Sequence, residues 1–313
     1  MPTIDSRNAV ANAIEHAELQ SWNNKGRYSE LCGHSIFYID EGEPDKPAIL
    51  LIHGFPTSSW DWQAIWNSLS KGYRLISLDM LGFGFSDKPD QRNYSIHKQA
   101  DLFEALAKQL KLSEYHVLAH DYGVTVAQEL LARQIDGNGI GQWLSCGLLN
   151  GGLFPETHRA ILIQKLMLSP AGKFINSLTG FKAFSKSFSS VFGANTQPTQ
   201  NELAGFWEAI NFNDGKHVFH NLITYMHDRR QHRERWVSAL QESPFPMSLI
   251  NGSIDPVSGA HLVRRYKELN CRLDHCKELT TIGHYPHVED ADGVSTAYLD
   301  FLASLNRENN YKY

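Results

Sequence analysis

Apolar positions along the chain follow two rhythms. Short apolar runs at Ala48 to His53, Tyr73 to Asp79 and Tyr115 to His120 each lead into a glycine-containing turn and then a segment of helical spacing. Such runs fit strands buried on both faces, and their alternation with helices argues for an α/β chain with a mostly parallel sheet. Two more runs extend the series: Leu144 to Leu149, ending at Asn150-Gly151-Gly152, and Met247 to Ile250, ending at Asn251-Gly252-Ser253. Ahead of them all, Gly33 to Asp40 alternates like a strand, and Glu41-Gly42-Glu43-Pro44-Asp45 makes a turn. In open sheets of this kind, functional residues gather at the carboxyl ends of the strands.

The helical rhythm marks the rest. Val10, Ala13, Ile14 and Ala17 predict a short amphipathic leader helix over residues 8 to 22. Val294, Ala297, Tyr298, Phe301, Leu302 and Leu305 form one stripe on a closing helix. Between the last two apolar runs lie about ninety residues with no strand pattern and with helical spacing at Leu203 to Ile210 and Val218 to Met226. A helical insertion between two strands of one sheet reads as a lid. The expected organisation is a leader helix at 1–30, a first core segment at 31–151, a helical lid at 152–243 and a second core segment at 244–313. The chain contains no internal repeat.

Composition narrows the function classes. The 313 residues are 42% hydrophobic and 20% charged, ordinary for a globular protein with a large core. A net charge of -5 argues against a nucleic-acid partner, which calls for a basic face. The one basic run, Arg229-Arg230-Gln231-His232-Arg233-Glu234-Arg235, reads as a solvated helix face. The longest aliphatic stretch, Ala48 to Ile52, is far short of the roughly 20 residues a membrane span needs. Met1 to Arg7 lacks the apolar region of a secretory signal. The four cysteines show neither a CxxC pair nor zinc-ligand spacing. These features predict a cytoplasmic monomer or homodimer with reduced thiols, no metal and no cofactor, acting on a small molecule.

The chemistry concentrates in Val117-Leu118-Ala119-His120-Asp121-Tyr122-Gly123-Val124. A strand runs into a sharp turn flanked by small residues, and a helix begins at once, which is the layout of a nucleophile elbow with Asp where Ser is commoner. The following helix N-terminus favours a negative charge on Asp121. Taken alone, Asp121 fits a helix cap equally well. Other motifs decide between the two. His53-Gly54-Phe55-Pro56 directly follows a strand and places the Phe55 N–H over the site, where with the Tyr122 N–H it would form an oxyanion hole. Asp255 follows the run Met247 to Ile250, and His284 sits in a Gly-His turn before the last helix, completing the order nucleophile, acid, histidine. The rival acid position after Leu149 is Asn150, which carries no charge, and His287 reads as structural. The turn Asp79-Met80-Leu81-Gly82-Phe83-Gly84 lacks the third glycine and the ribose-binding acid of a dinucleotide site, so its role reads as structural.

The stretches HGFPTSSWDW, LGFGFSDKP, AHDYG, VAQELL, NGGLFPETHR, NDG, ERWVSAL and HYP resemble the α/β-hydrolase superfamily, in its epoxide hydrolase and haloalkane dehalogenase branch, and within it the mesoderm-specific transcript group. The resemblance spans residues 30 to 305. It implies the α/β-hydrolase fold, with Asp121 as nucleophile, His284 as base, Asp255 as orienting acid, and Phe55 and Tyr122 as oxyanion-hole donors. It further implies that Tyr225, the one tyrosine of the insertion, donates a proton to an opening epoxide where such enzymes use a pair. His53, Pro56 and Trp207 are the other substrate-contacting candidates. The insertion aromatics Phe174, Phe181, Phe184, Phe188, Phe192 and Trp207 read mostly as packing residues.

A carboxylate nucleophile is ionised at neutral pH without a base and suits attack on saturated carbon, giving an alkyl ester that a His-activated water then cleaves. The expectation is an epoxide-hydrolase-like enzyme for a small, mainly apolar substrate. The alternatives are a haloalkane dehalogenase, an ester or lactone hydrolase acting by direct water attack, and a non-catalytic ligand receptor on a hydrolase scaffold. The dehalogenase pattern fits less well, because Tyr122 and Phe55 stand where that branch carries Trp and a polar halide-binding side chain.

Overall fold

The computed structural model describes residues 14–90, 94–157, 159 and 179–310. Eight strands form one sheet: β1 (Arg27–Leu31), β2 (His34–Glu41), β3 (Ala48–Ile52), β4 (Arg74–Leu78), β5 (Glu114–Ala119), β6 (Gln142–Leu148), β7 (Met247–Gly252) and β8 (His275–Leu279). Their order is β1-β2-β4-β3-β5-β6-β7-β8. The pairs β1–β2 and β2–β4 are antiparallel, and every other neighbouring pair is parallel. This is the α/β-hydrolase architecture that the apolar runs and motifs predicted. β3 and β7 are buried at every position, as strands covered by helices on both faces must be.

Two strands escaped the sequence reading, for one reason. β1 buries only Leu31 and β8 only Leu279, so neither carries an apolar run. β1 exists because Cys32 (φ 51°) and Gly33 (φ 80°) turn the chain back onto β2, the two left-handed residues that match the twist of a tight hairpin. The leader helix also differs from expectation. It runs Ala17–Lys25 and buries Leu19 and Trp22, the latter 4.8 Å edge-on to Trp66. Val10 and Ala13 lie outside the described residues, as does Phe174.

Between β6 and β7 the described residues are helical and contain no strand. They form helices Phe181–Ser189, Gln200–Asn211, Tyr225–Gln231 and Arg233–Gln241, with short turns at Phe212–Val218 and Phe219–Leu222. The continuous helical pattern expected over Val218 to Met226 is therefore broken. Asn213 and Asp214 take left-handed conformations (φ 51° and 55°), and the chain restarts at Tyr225. The closing helix, Ala291–Asn310, buries Val294, Tyr298, Phe301 and Leu302, and the Tyr298 hydroxyl donates to the Val117 carbonyl of β5 at 3.4 Å. No helix among the described residues is long and apolar enough to cross a membrane.

β5 hands the chain to helix Tyr122–Ile135 through Asp121 at φ 47° and ψ -106°, a strained backbone position. The turn fits only because residue 123 has no side chain: a Cβ there would lie 2.3 Å from the Ile52 carbonyl oxygen. Gly123→Ala should cost about 1–3 kcal/mol of stability through overpacking, measured by denaturant unfolding. An unchanged midpoint would show that this close approach carries no constraint.

Candidate active site

At the carboxyl edge of the sheet the elbow after β5 points Asp121 at the loop after β8. His284 Nε2 stands 3.3 Å from Asp121 Oδ1, and His284 Nδ1 lies 2.7 Å from Asp255 Oδ2. All three residues are buried, Asp121 at 4% exposure, so the charges interact without much competition from water. The second Asp121 oxygen, Oδ2, accepts the Phe55 N–H at 3.0 Å. Gly54 permits that approach, since a Cβ on it would stand 2.8 Å from the Asp121 Cβ.

Asp255 is held by more bonds than any other member of the group. Oδ1 accepts the Val257 N–H at 2.7 Å, while Oδ2 accepts the Ser258 N–H at 3.0 Å, the Ser258 hydroxyl at 2.6 Å and Asn150 Nδ2 at 2.9 Å. Asn150, the uncharged rival, thus serves the acid. Burial pushes the Asp255 carboxyl up, but His284 and these donors outweigh it and keep it ionised. Asp121 behaves likewise. Burial opposes its charge, yet His284, His120 and Arg229 hold it below the usual carboxylate range. Burial favours a neutral His284, but the two acids win and raise its pKa to about 10. At neutral pH the group is an imidazolium between two carboxylates.

Aromatic side chains roof this cluster. The Tyr122 and Tyr225 rings meet edge-on at 4.6 Å, with Tyr225 6.4 Å from Phe55. Both hydroxyls are buried and complete no hydrogen bond among the described residues. Phe219 lies 5.5 Å from Phe55, and Tyr285 stacks on Phe192 at 5.2 Å while donating its hydroxyl to the Phe55 carbonyl at 3.2 Å. The His284 N–H is fixed by the Val191 carbonyl at 2.9 Å, so the helical stretch and the histidine loop are tied directly.

Two residues expected to touch substrate are engaged by partners within the protein. His53 is fully buried, its Nδ1 bonded to the Gly54 carbonyl at 2.9 Å and its Nε2 accepting the Met80 N–H at 3.0 Å. Burial lowers its pKa to about 4, so it is a neutral tie between the ends of β3 and β4. Trp207 packs against Phe184 at 5.2 Å and Phe181 at 6.2 Å, under the Lys216 ammonium. Pro56 is half-buried beside Phe55. The turn after β4 is structural as expected: Asp79 accepts the Ser59 and Phe85 N–H groups, both at 2.7 Å.

The basic run holds the main surprise. Arg230 is exposed, and Arg233 and Arg235 pair with Glu156 and Glu129. Arg229 instead is buried at 2% exposure beside the elbow, which overturns the solvated-face reading for that position. Its Nε donates to Thr125 Oγ1 at 2.8 Å and its Nη2 to the Asp121 carbonyl at 3.3 Å, and its guanidinium lies 4.4 Å from the Tyr225 ring centroid. The signal was present as spacing: Arg229 falls four residues after Tyr225 and shares its helix face.

Comparison with known proteins follows this geometry. The alpha/beta hydrolase fold family model matches residues 47–137. The mesoderm-specific transcript homolog protein of Bos taurus is 42% identical over 301 residues, covering 92% of this chain and 88% of its own. A putative hydrolase, LipZ, of Mycobacterium tuberculosis is 34% identical over 284 residues, covering 91% and 98%. Among solved structures, a loop variant of the haloalkane dehalogenase DbeA from Bradyrhizobium elkanii superposes with a TM-score of 0.76 at 19% identity, covering 92% of this chain and 99% of that one, a likeness of fold alone. The chain belongs to the alpha/beta hydrolase fold family, together with the mesoderm-specific transcript proteins.

Removing one of the two acids should release the His284 proton. In the wild type the imidazole should titrate near pH 10, and in Asp121→Asn well below that, read by nitrogen chemical shifts. Because its folded pKa exceeds the ordinary 6.5, its stabilising contribution is complete below that pH and fades as pH rises toward 10. A wild-type midpoint near 6.5 would contradict the ion-pair account.

Proposed function

We propose that this member of the alpha/beta hydrolase fold family is a hydrolase that uses Asp121 as a covalent nucleophile, in the manner of an epoxide hydrolase, on a small and mainly apolar substrate. One observation carries the reading: a buried, ionised carboxylate at the elbow stands 3.3 Å from an imidazole that a second acid orients. A carboxylate merely capping a helix needs no such partner, and Asp121 makes no side-chain capping bond.

The cycle follows from the charges. An Asp121 oxygen lone pair forms a bond to an epoxide carbon as the ring C–O bond breaks, and the released oxygen takes a proton from Tyr225. Burial keeps that phenol protonated, while the adjacent Arg229 eases loss of the proton. Solvent restores the tyrosine proton. Ester formation removes the negative charge on Asp121, so His284 keeps one acid instead of two and releases its proton to solvent, balancing the one that Tyr225 takes up. The neutral imidazole then takes a proton from water, and the hydroxide adds to the Asp121 carbonyl carbon. The oxyanion is met by the Phe55 N–H and that of Tyr122. Collapse expels the diol oxygen, which takes the proton from His284, and the new Asp121 carboxylic acid passes its own proton to His284, restoring the resting ion pair. Loss of one oxyanion donor costs about 3–4 kcal/mol in comparable sites. In this scheme residues 152–243 act as a lid that excludes water, which strengthens every charge interaction beneath it.

The hydroxyl protons of Tyr122 and Tyr225, which meet no acceptor among the described residues, favour an oxygen leaving group, with Tyr122 supplying the second donor that the insertion lacks. A halide could accept the same two bonds, which keeps dehalogenation as the second reading.

His284→Gln should form the ester and fail to hydrolyse it. Incubated with short epoxides, haloalkanes and esters, this variant should gain the whole substrate mass from an epoxide, read by intact mass spectrometry. Gain of an alkyl group without halide would move the assignment to dehalogenation, and no adduct from any class would sink the covalent scheme. Tyr225→Phe should slow adduct formation from epoxides by about 10²-fold or more, since general-acid assistance contributes on that scale.

A further inference from the structure

Behind the triad, three side chains from separate elements converge. Asp61 lies on the short turn Ser59–Trp62 after β3, His120 ends β5, and His287 sits on the turn Pro286–Glu289 beyond His284. None is more than 2% exposed. One polar atom from each lies within 4.8 Å of the other two.

The bonding around them is incomplete in a directed way. His120 Nε2 meets the His284 carbonyl at 2.8 Å, and a carbonyl only accepts, so this nitrogen carries the proton. His120 Nδ1 is left with a lone pair and no partner. Both ring nitrogens of His287 lack partners too, although its ring packs 4.7 Å from Trp62 and 4.5 Å from His120. Asp61 Oδ2 accepts the Thr57 hydroxyl, while Oδ1 has no partner. Among the described residues Asp61 Oδ1, His120 Nδ1 and both His287 ring nitrogens are left without partners, and a neutral His287 supplies only one N–H to the set. Buried polar atoms are nearly always satisfied, so such a set points to something that accepts electron pairs.

Charge leads the same way. Asp61 makes no ion pair among the described residues, and the charged groups acting on it, Asp79 and Asp121, are themselves acids. A cation would engage Asp61 Oδ1 and the imidazole lone pairs together.

We propose that Asp61, His120 and His287 bind one divalent transition-metal ion of the zinc class, in a closed site behind the histidine loop. Two imidazole nitrogens and a carboxylate suit zinc and its neighbours, not the all-oxygen shells of calcium or magnesium. The bond from His120 to a backbone carbonyl is the outer-shell contact that fixes the orientation of metal-binding histidines. Two metal–ligand bonds of about 2.1 Å at a tetrahedral angle span about 3.4 Å, so closure from 4.8 Å asks the donor atoms to draw together by up to about 1.4 Å. Since His120 also holds the His284 carbonyl, the ion would brace the loop that presents His284. This site is independent of whether Asp121 forms an ester.

The test uses untagged full-length protein, purified without chelator and analysed for metals, then stripped and titrated with zinc and with cobalt(II). The expected result is about one equivalent per chain, visible d–d absorption with cobalt, and a lower Tm after stripping. His287→Gln and Asp61→Asn should each weaken zinc binding by at least about 10-fold, whereas Asp121→Asn should bind it fully. Wild-type protein that holds less than a tenth of an equivalent and takes up neither metal would overturn the site, leaving a water or direct hydrogen bonds in its place. Undiminished binding in both ligand variants would overturn it as well, by placing the ion elsewhere. Should both variants fail to fold, the cobalt spectrum of the wild type decides alone.

Discussion

Everything at this site depends on a carboxylate kept charged in a place largely withdrawn from solvent. Asp121 is buried, and burial alone would protonate it. His284 reverses that balance from 3.3 Å, but only because Asp255 supplies a second charge that keeps the imidazole protonated. The pair is therefore a set of three, and removing one charge changes the other two. That coupling converts a resting ion pair into a base once Asp121 is neutralised. Strain at φ 47°, the bare Gly123 and the bare Gly54 all serve to bring this carboxylate to its place.

A second layer makes the geometry rigid. Asn150 donates to Asp255 and accepts the Gly252 N–H at 2.6 Å, linking the ends of β6 and β7. Arg229 reaches from the helical stretch to the elbow, so the roof and Asp121 share one guanidinium. Tyr285, next in sequence to His284, ties the histidine loop to the Phe55 carbonyl. Each of these contacts joins segments far apart in the chain, and each ends on a residue that touches the triad directly or through one bond.

Legibility from sequence divided along that line. The core strands could be read because burial on both faces demands continuous apolar runs, and the elbow because its sharp turn demands small residues at fixed offsets. Asp121 and Asp255 are picked out by the strands before them and His284 by its Gly-His turn ahead of the last helix, and the structure brings these three side chains together. β1 and β8, exposed over most of their length, left no such mark. Arg229 looked like its solvated neighbours in the basic run, since only the fold decides which arginine turns inward. For His53 and Trp207 a motif places only the backbone segment, while the direction of the side chain is settled by partners such as Met80 or Phe184. The convergence of Asp61, His120 and His287 had no spacing signature at all, because it joins three separate loops.

The most direct measurement is a single turnover in heavy-oxygen water with enzyme in excess over a short epoxide, followed by peptide mass analysis. A covalent carboxylate mechanism places one heavy oxygen in the Asp121 side chain on the first turnover, and leaves the diol oxygens of that turnover unlabelled. Label in the diol, with none on the Asp121 peptide, would mean that water attacks the substrate directly and that Asp121 never forms the ester.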